Sequence, residues 1–180
     1  MKVIGFCGLP GSGKSTAIEA IKDLGVIITM GDVIREEAKK RNLSSTDENL
    51  GKIAKELREK GGPEIIAKKC VELIKIQKKN VVFVDGIRSP HELKIFRQYW
   101  KFPLIVIELS EENRFERLFK RARRDDPLSL EEIKKRDERE LGFGLKKVVE
   151  SAEYKIKNAS TIEDLQKRTK EIVLEIIKNY

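Results

Sequence analysis

The sequence predicts a three-layer α/β/α fold, in which helices cover both faces of a five-stranded parallel sheet. Two patterns predict it: short apolar runs alternate with long amphipathic stretches, and the central runs have no polar interruption. Strands that are apolar at every position are typical of parallel sheets with both faces covered. The 180 residues suit one domain, so we expect residues 1–180 to form a single unit.

Five segments have the composition of strands, with helix-start signals between them. The predicted strands are Lys2–Cys7, Val26–Thr29, Asn80–Asp85, Leu104–Leu109 and Tyr154–Lys157. Ser89, followed by Pro90 and Glu92, combines an N-cap, a proline at the first helical position and a capping-box glutamate. The same serine-to-glutamate spacing predicts helix starts at Ser45, Ser129 and Ser160. Ligands of such sheets bind beyond the carboxyl ends of the strands, so the residues that follow strands are the functional candidates.

The composition limits the possible partners and the environment. The net charge of +8 is compatible with nucleic acid, a membrane surface or a small anion as partner, or with solvated helix faces. The apolar runs are too short to cross a bilayer, so we expect no membrane partner. Cys7 and Cys70 lack metal-binding or redox spacing, and therefore we expect a reducing, cytoplasmic environment.

A complete phosphate-binding motif, G-x-x-x-x-G-K-S, follows the first predicted strand and opens a predicted helix, as a P-loop requires. Its glycines let backbone N–H groups surround phosphate oxygens. We expect Lys14 to bridge the β- and γ-phosphates of ATP or GTP, and Ser15 to bind Mg²⁺. The predicted nucleotide-binding residues of this segment are Gly8, Leu9, Pro10, Gly11, Ser12, Gly13, Lys14, Ser15 and Thr16.

A second metal-binding candidate ends the third predicted strand. Asp85 follows four apolar residues, Val81–Val84, and a carboxylate there would hold Mg²⁺ through water. The alternative is a simple turn, because Asp85 and Gly86 also form a good turn pair.

Two arginines follow neighbouring strands and predict a site for a second phosphate. Arg35 comes after the second strand and Arg88 after the third. We expect both to lie in loops at the mouth of the P-loop, because arginine binds phosphate through a planar, permanently charged fork. Such a pair would hold an acceptor phosphate in line with the γ-phosphate. The alternatives are a helix arginine paired with glutamates and a loop arginine that caps a carboxylate.

The two segments resemble the adenylate kinase superfamily of nucleoside monophosphate kinases, in which T-G-D-x-x-R and D-G-[FY]-P-R segments hold the monophosphate. The first is matched by Gly31, Asp32 and Arg35, with Met30 in place of threonine; the second, one residue shorter, is matched by Asp85, Gly86 and Arg88. With Arg124-Asp125-Asp126-Pro127 and Tyr154-x-Ile-x-Asn158, the chain looks like an archaeal group of adenylate-kinase-related and dephospho-CoA-kinase-like proteins.

The resemblance implies an ATP-dependent phosphotransferase whose acceptor is a small phosphate-bearing metabolite, with a nucleoside monophosphate as the leading candidate. An acceptor-binding helical region would span about residues 32–79, and a short lid residues 121–128. The acceptor-binding residues would be Gly31, Asp32, Arg35, Arg88 and Arg136. Arg121 and Arg124 of the lid would neutralise charge on the transferring group. Asp32 would take the proton of an alcohol acceptor, and Asn158 would either lie beside the donor base or support a turn.

Two alternatives remain open at this point. Dephospho-CoA kinase is the first; its acceptor is a ribose hydroxyl, so a carboxylate base would matter more. A regulatory P-loop ATPase that binds RNA or a protein partner is the second, and the basic Arg114–Arg124 segment permits it. The paired arginines favour a kinase, because a switch needs no acceptor clamp. We therefore expect small nucleotide substrates rather than nucleic acid.

Overall fold

The structure, a computed structural model, describes residues 1–121 and 129–179. Over these residues the chain forms one sheet of five parallel strands in the order β2-β3-β1-β4-β5. The strands are β1 Lys2–Cys7, β2 Val26–Thr29, β3 Val81–Asp85, β4 Leu104–Glu108 and β5 Tyr154–Lys157. The predicted parallel α/β fold is thereby confirmed, and each predicted strand differs from the observed one by at most one residue at an end.

The helices of the described residues connect and cover these strands. They are α1 Lys14–Glu19, α2 Met30–Lys40, α3 Asp47–Gly61, α4 Ile65–Lys75, α5 Pro90–Tyr99, α6 Glu111–Arg121, α7 Leu130–Gly142, α8 Leu145–Glu150 and α9 Ile162–Asn179. Three of them, α2, α3 and α4, lie between β2 and β3, in the region where the sequence predicts acceptor-binding helices. No helix in the described ranges is long and apolar enough to span a membrane.

The core consists of two apolar clusters, one on each face of the sheet. Alternate residues of β1 enter different clusters: Val3 packs with α2 to α5 and α8, whereas Ile4 and Phe6 pack with α1 and α9. This arrangement explains the uninterrupted apolar strands, because helices bury both faces. Cys7 and Cys70 are buried in the first cluster.

Two of the four predicted helix caps are confirmed, and two are displaced by one residue. Ser89 forms the complete capping box of α5, and Ser129 accepts a hydrogen bond from the Glu132 N–H at the start of α7. The prediction of Ser45 and Ser160 as caps is wrong.

Threonines one position later take the capping role at those two sites. The hydroxyl of Thr46 accepts the Asn49 N–H at 3.3 Å, and that of Thr161 accepts the Asp164 N–H at 3.2 Å. At the first site the Asn49 side chain also donates to the carbonyl of Ser44 at 3.0 Å. This hydrogen bond favours Thr46 over Ser45 as the cap of α3, because it closes the preceding turn onto Asn49.

Candidate active site

The P-loop connects β1 to α1 in a conformation that requires glycine. Gly8 and Gly13 have φ angles of 138° and 104°, in a region that other residues rarely adopt. Space is restricted as well: a Cβ atom on Gly13 would lie 2.2 Å from the side-chain nitrogen of Asn158. The loop is therefore held tightly against the segment that follows β5.

Lys14 folds back onto its own loop. Its Nζ donates hydrogen bonds to the carbonyl oxygens of Gly8, at 2.6 Å, and Leu9, at 3.3 Å. Burial lowers the pKa of the Lys14 ammonium, and the negative charge of Asp85 opposes that effect. The ammonium is thus kept at the centre of the loop, in the cleft where phosphate oxygens would enter.

Asp85 lies at the end of β3, beside Phe6 of β1. Its Oδ1 atom is buried and has no hydrogen-bond partner among the described residues. Burial raises the pKa of Asp85, while Lys14 and then Arg88 act to lower it. An unpartnered carboxylate oxygen in the same cleft as Ser15 fits a hydrated Mg²⁺ ion. Within the described ranges no group of three or more histidine, cysteine, aspartate or glutamate side chains is placed to hold a metal ion.

One cleft joins the P-loop to arginines from four separate elements: Arg117 of α6 and the three arginines predicted to bind the acceptor. Arg35 comes from α2, Arg88 from the β3–α5 connection and Arg136 from α7. The expectation that Arg35 lies in a loop is wrong, because α2 begins at Met30 directly after β2. Met30 is itself buried in the core. The three arginines nevertheless line the same cleft as Lys14.

The capping box of α5 fixes the backbone at Arg88. One carboxylate oxygen of the buried Glu92 accepts the N–H groups of Arg88 and Ser89 at 2.9 and 3.1 Å. The other oxygen accepts a hydrogen bond from Arg58 of α3 at 2.7 Å. A local helix-start signal therefore also orients the loop that carries Arg88.

Glu140 is a cleft residue that sequence reasoning missed. It is 3% exposed, and its Oε1 lies 3.5 Å from the Arg88 guanidinium and 3.7 Å from that of Arg136. Burial acts to raise the pKa of Glu140, but the arginines and Lys14 outweigh burial and hold the pKa below its usual value. The i,i+4 spacing from Arg136 is the one local signal that points to this residue.

A recess continues from the cleft between α2, α3 and α7. Arg139, beside Arg136 on the α7 face, donates to Asp47 of α3 at 2.9 Å, and Arg136 also lies 3.3 Å from Asp47. The apolar side chains that line the recess are Ile34, Leu50, Ala54 and Phe143. Charged groups thus occupy its mouth and apolar groups its wall.

Most predicted site residues line the cleft, and three of those described do not. Gly8, Pro10, Gly11, Ser12, Gly13, Lys14, Ser15, Thr16, Gly31, Arg35, Asp85, Arg88 and Arg136 line it. Leu9 packs against the core instead. Asp32 is 63% exposed and paired with Arg35 at 2.7 Å, and it is not among the residues that line the cleft.

Asn158 lies beneath the P-loop and not along the cleft. It is 2% exposed, and its amide donates to the carbonyl of Ser12 at 2.8 Å. Its side chain therefore contacts the backbone of the P-loop, a contact that neither of the two roles considered from the sequence includes. Residues 122–128 of the expected 121–128 lid, Arg124 among them, lie outside the described residues, as does the side chain of Arg121.

Comparisons with known proteins place the chain in a family. A family model described as an AAA domain matches residues 4–140. A UPF0200 protein of Methanoregula boonei is 42% identical, and the match covers 96% of each chain. The chain belongs to this AAA-domain family and to the UPF0200 proteins. The UPF0200/UPF0201 protein of Archaeoglobus fulgidus is 48% identical, and the match covers 99% of this chain. The chain spans only 57% of the length of that protein.

Solved structures share the fold. Shikimate kinase from Acinetobacter baumannii, in complex with shikimate, superposes with a TM-score of 0.63 at 15% identity, covering 99% of this chain and 94% of that one. Shikimate kinase from Bacteroides thetaiotaomicron gives 0.63 at 18% identity, with 96% and 98% covered. At these identities the likeness shows the fold alone, which is that of the P-loop kinases.

Proposed function

We propose that the chain is an ATP-dependent phosphotransferase whose acceptor is a small phosphate-bearing metabolite, with a nucleoside monophosphate as the leading candidate. The observation that carries the proposal is the shared cleft: Lys14 and Asp85 face the same space as Arg35, Arg88 and Arg136. Phosphoryl transfer depends mainly on the positioning of donor and acceptor and on charge neutralisation. A cleft with a P-loop at one end and arginines at the other suits both needs.

The P-loop end would bind the donor. Backbone N–H groups of the loop surround the phosphates, and Lys14 contacts the β- and γ-phosphates. Ser15 and Asp85 would hold Mg²⁺, the latter through water. The bound metal supplies further neutralisation of the phosphate charge.

The arginine end would bind the acceptor phosphate. Arg35, Arg88 and Arg136 each lie beside a carboxylate, at 2.7, 3.5 and 3.3 Å respectively. These carboxylates balance the guanidinium charges before the acceptor arrives. A phosphate dianion competes well for such groups, because it accepts bidentate, charge-assisted hydrogen bonds. The apolar recess beyond them would then take the rest of the acceptor.

The test is transfer from ATP to a panel of acceptors, with identification of the products. The panel contains the four common nucleoside monophosphates, dephospho-CoA, and a sample without acceptor. We expect a phosphorylated product from a phosphate-bearing acceptor, formed faster than ATP is hydrolysed alone. Hydrolysis without transfer to any acceptor would argue for a regulatory ATPase instead. A product formed from dephospho-CoA alone would establish a hydroxyl as the attacking group.

Substitution of Arg35 or Arg88 tests whether acceptor use can be lost while ATP binding at the P-loop is kept. Arg35→Ala and Arg88→Ala should each cost about 2–4 kcal/mol of transition-state stabilisation, as for other contacts to developing charge. ATP affinity should change far less, because the P-loop is intact in both variants. Arg168→Ala, an exposed arginine on α9, is the control and should behave as the wild type. Equal losses of ATP affinity and acceptor use would contradict the assignment of the two ends.

A further inference from the structure

Arg114 is a buried arginine that contacts the P-loop and α7 at once. It lies near the start of α6 and is 3% exposed. Its Nη1 donates to the carbonyl oxygen of Pro10 at 2.9 Å. Nη1 and Nη2 also donate to the two carboxylate oxygens of Asp137, at 3.2 and 2.6 Å. One guanidinium therefore bridges two segments that are far apart in the chain.

The contact with Pro10 determines the direction of a P-loop N–H group. No peptide bond among the described residues is cis, and in a planar trans peptide the C=O and the next N–H point in opposite directions. Because the Pro10 carbonyl points toward Arg114, the Gly11 N–H points in the opposite direction, away from Arg114. Gly11 itself sits against α6, since a Cβ there would lie 2.8 Å from the Arg114 carbonyl oxygen.

The contact with Asp137 ties this arrangement to the acceptor end. Asp137 follows Arg136 directly on α7, and Arg136 lines the cleft together with Glu140. The Asp137 side chain is 13% exposed, so the pair is largely screened from solvent. A displacement of α7 relative to the P-loop would have to break these hydrogen bonds.

We propose that Arg114 and Asp137 are positioning residues that hold the P-loop in its phosphate-binding conformation and at a set distance from α7. Stability alone does not explain the pair, because apolar residues of similar volume can replace a buried ion pair without loss of stability. An apolar pair, however, could not donate a hydrogen bond to the Pro10 carbonyl. The inference rests on the proposed function in one respect, namely that the P-loop binds a nucleotide.

The experiment compares single and double substitutions by thermal melting and by calorimetry with MgATP. Asp137→Leu should lower Tm, because it leaves the Arg114 charge buried without a partner. The double variant Arg114→Met/Asp137→Leu should recover most of that Tm. Its affinity for MgATP should stay about tenfold weaker than that of the wild type, the scale of one hydrogen bond to a charged group. Arg168→Met, at an exposed arginine–aspartate pair on α9, should change neither quantity.

Recovery of both Tm and MgATP affinity in the double variant would overturn the proposal, since the pair would then be structural only. If the double variant does not recover Tm, Arg114→Lys decides the question. A lysine keeps the charge but lacks the fork needed to hold Pro10 and both oxygens of Asp137. Weaker MgATP binding by Arg114→Lys at near-normal Tm supports the proposal, and unchanged binding overturns it.

A transfer assay on the same samples separates this inference from the proposed function. If the wild type binds MgATP but transfers to no acceptor, the proposed kinase activity fails while the positioning role stands on the binding results. If the wild type binds no MgATP, both are overturned.

Discussion

At the scale of single residues, Lys14 shows how burial in the cleft changes the pKa of a charged side chain. The Lys14 residue is half-buried. Because burial lowers the pKa of Lys14, its charge carries a cost in the folded protein. This cost is fully present below the lowered pKa of the folded protein, falls as the pH rises above that pKa, and is gone above the ordinary lysine pKa of the unfolded chain.

We therefore predict that Lys14→Ala removes activity without loss of stability. Transfer should fall by on the order of 10²–10³ or more, as for loss of a donor to developing charge. Tm should stay equal to that of the wild type or rise slightly, since the desolvated charge is gone. The measurements are the transfer rate and a thermal melt, with exposed Lys40→Ala as the control. A large drop in Tm, or full turnover, would rule out this role for Lys14.

Two carboxylates of the cleft have pKa values shifted in opposite directions. Burial dominates at Asp85 and raises its pKa, whereas neighbouring cations dominate at Glu140 and lower its pKa. Glu140 therefore stays ionised near neutral pH and balances the charges of the Arg88 and Arg136 guanidiniums. Lowering the pKa of a carboxylate makes it a poorer general base, so we assign Glu140 no proton-transfer step.

At the scale of elements, helix caps both start helices and orient the site. Glu92 caps α5 and also accepts the backbone N–H of Arg88. Its partner Arg58 links α3 to this connection and lies 4.2 Å from the ring centre of Phe143, at the end of α7. Arg58 therefore joins α3 to the start of α5 through a buried ion pair and to the end of α7 through the Phe143 ring.

The displaced cap of α3 can be tested with a matched pair of substitutions. Thr46→Ala should lower the free energy of unfolding by about 1 kcal/mol, the usual cost of a lost N-cap. Ser45→Ala, one residue earlier, should have almost no effect, because Thr46 and not Ser45 accepts the first free N–H. Urea unfolding followed by circular dichroism measures both. A larger loss for Ser45→Ala would place the helix start where the sequence pattern suggested.

At the scale of the whole molecule, the proposed function makes one cleft hold the phosphates of both donor and acceptor. A bisubstrate analogue, two nucleosides joined by five phosphates, should therefore bind with Mg²⁺ far more tightly than ATP, since it makes both sets of contacts at once. Arg88→Ala should remove most of this advantage and leave ATP binding nearly unchanged. Calorimetry measures all of these affinities.

The same measurement with RNA tests the competing function. Long RNA should bind weakly, at roughly 10⁻⁴–10⁻⁶ M at physiological salt, as is usual for purely electrostatic contact. Tight RNA binding together with no gain from the bisubstrate analogue would favour a regulatory ATPase.

Much of the fold and one end of the site follow from local sequence patterns. The strands could be predicted within a residue because their apolar runs reflect burial on both faces of the sheet. The P-loop could be predicted because its glycines and lysine act within eight consecutive residues, Gly8–Ser15. The capping residues of the helices were harder to predict, because neighbouring hydroxyl residues such as Ser45 and Thr46 compete for the same N–H groups.

The sequence by itself determined the parallel α/β fold, the P-loop and the arginines that follow β2 and β3. Only the tertiary structure decided what surrounds them. The Arg114–Pro10 and Asn158–Ser12 hydrogen bonds join residues 104 and 146 positions apart, and Glu140 reaches Arg88 from α7. No local pattern encodes such contacts, because they depend on how the helices pack across the sheet. The P-loop is therefore recognisable from eight residues, but distant side chains hold it in place.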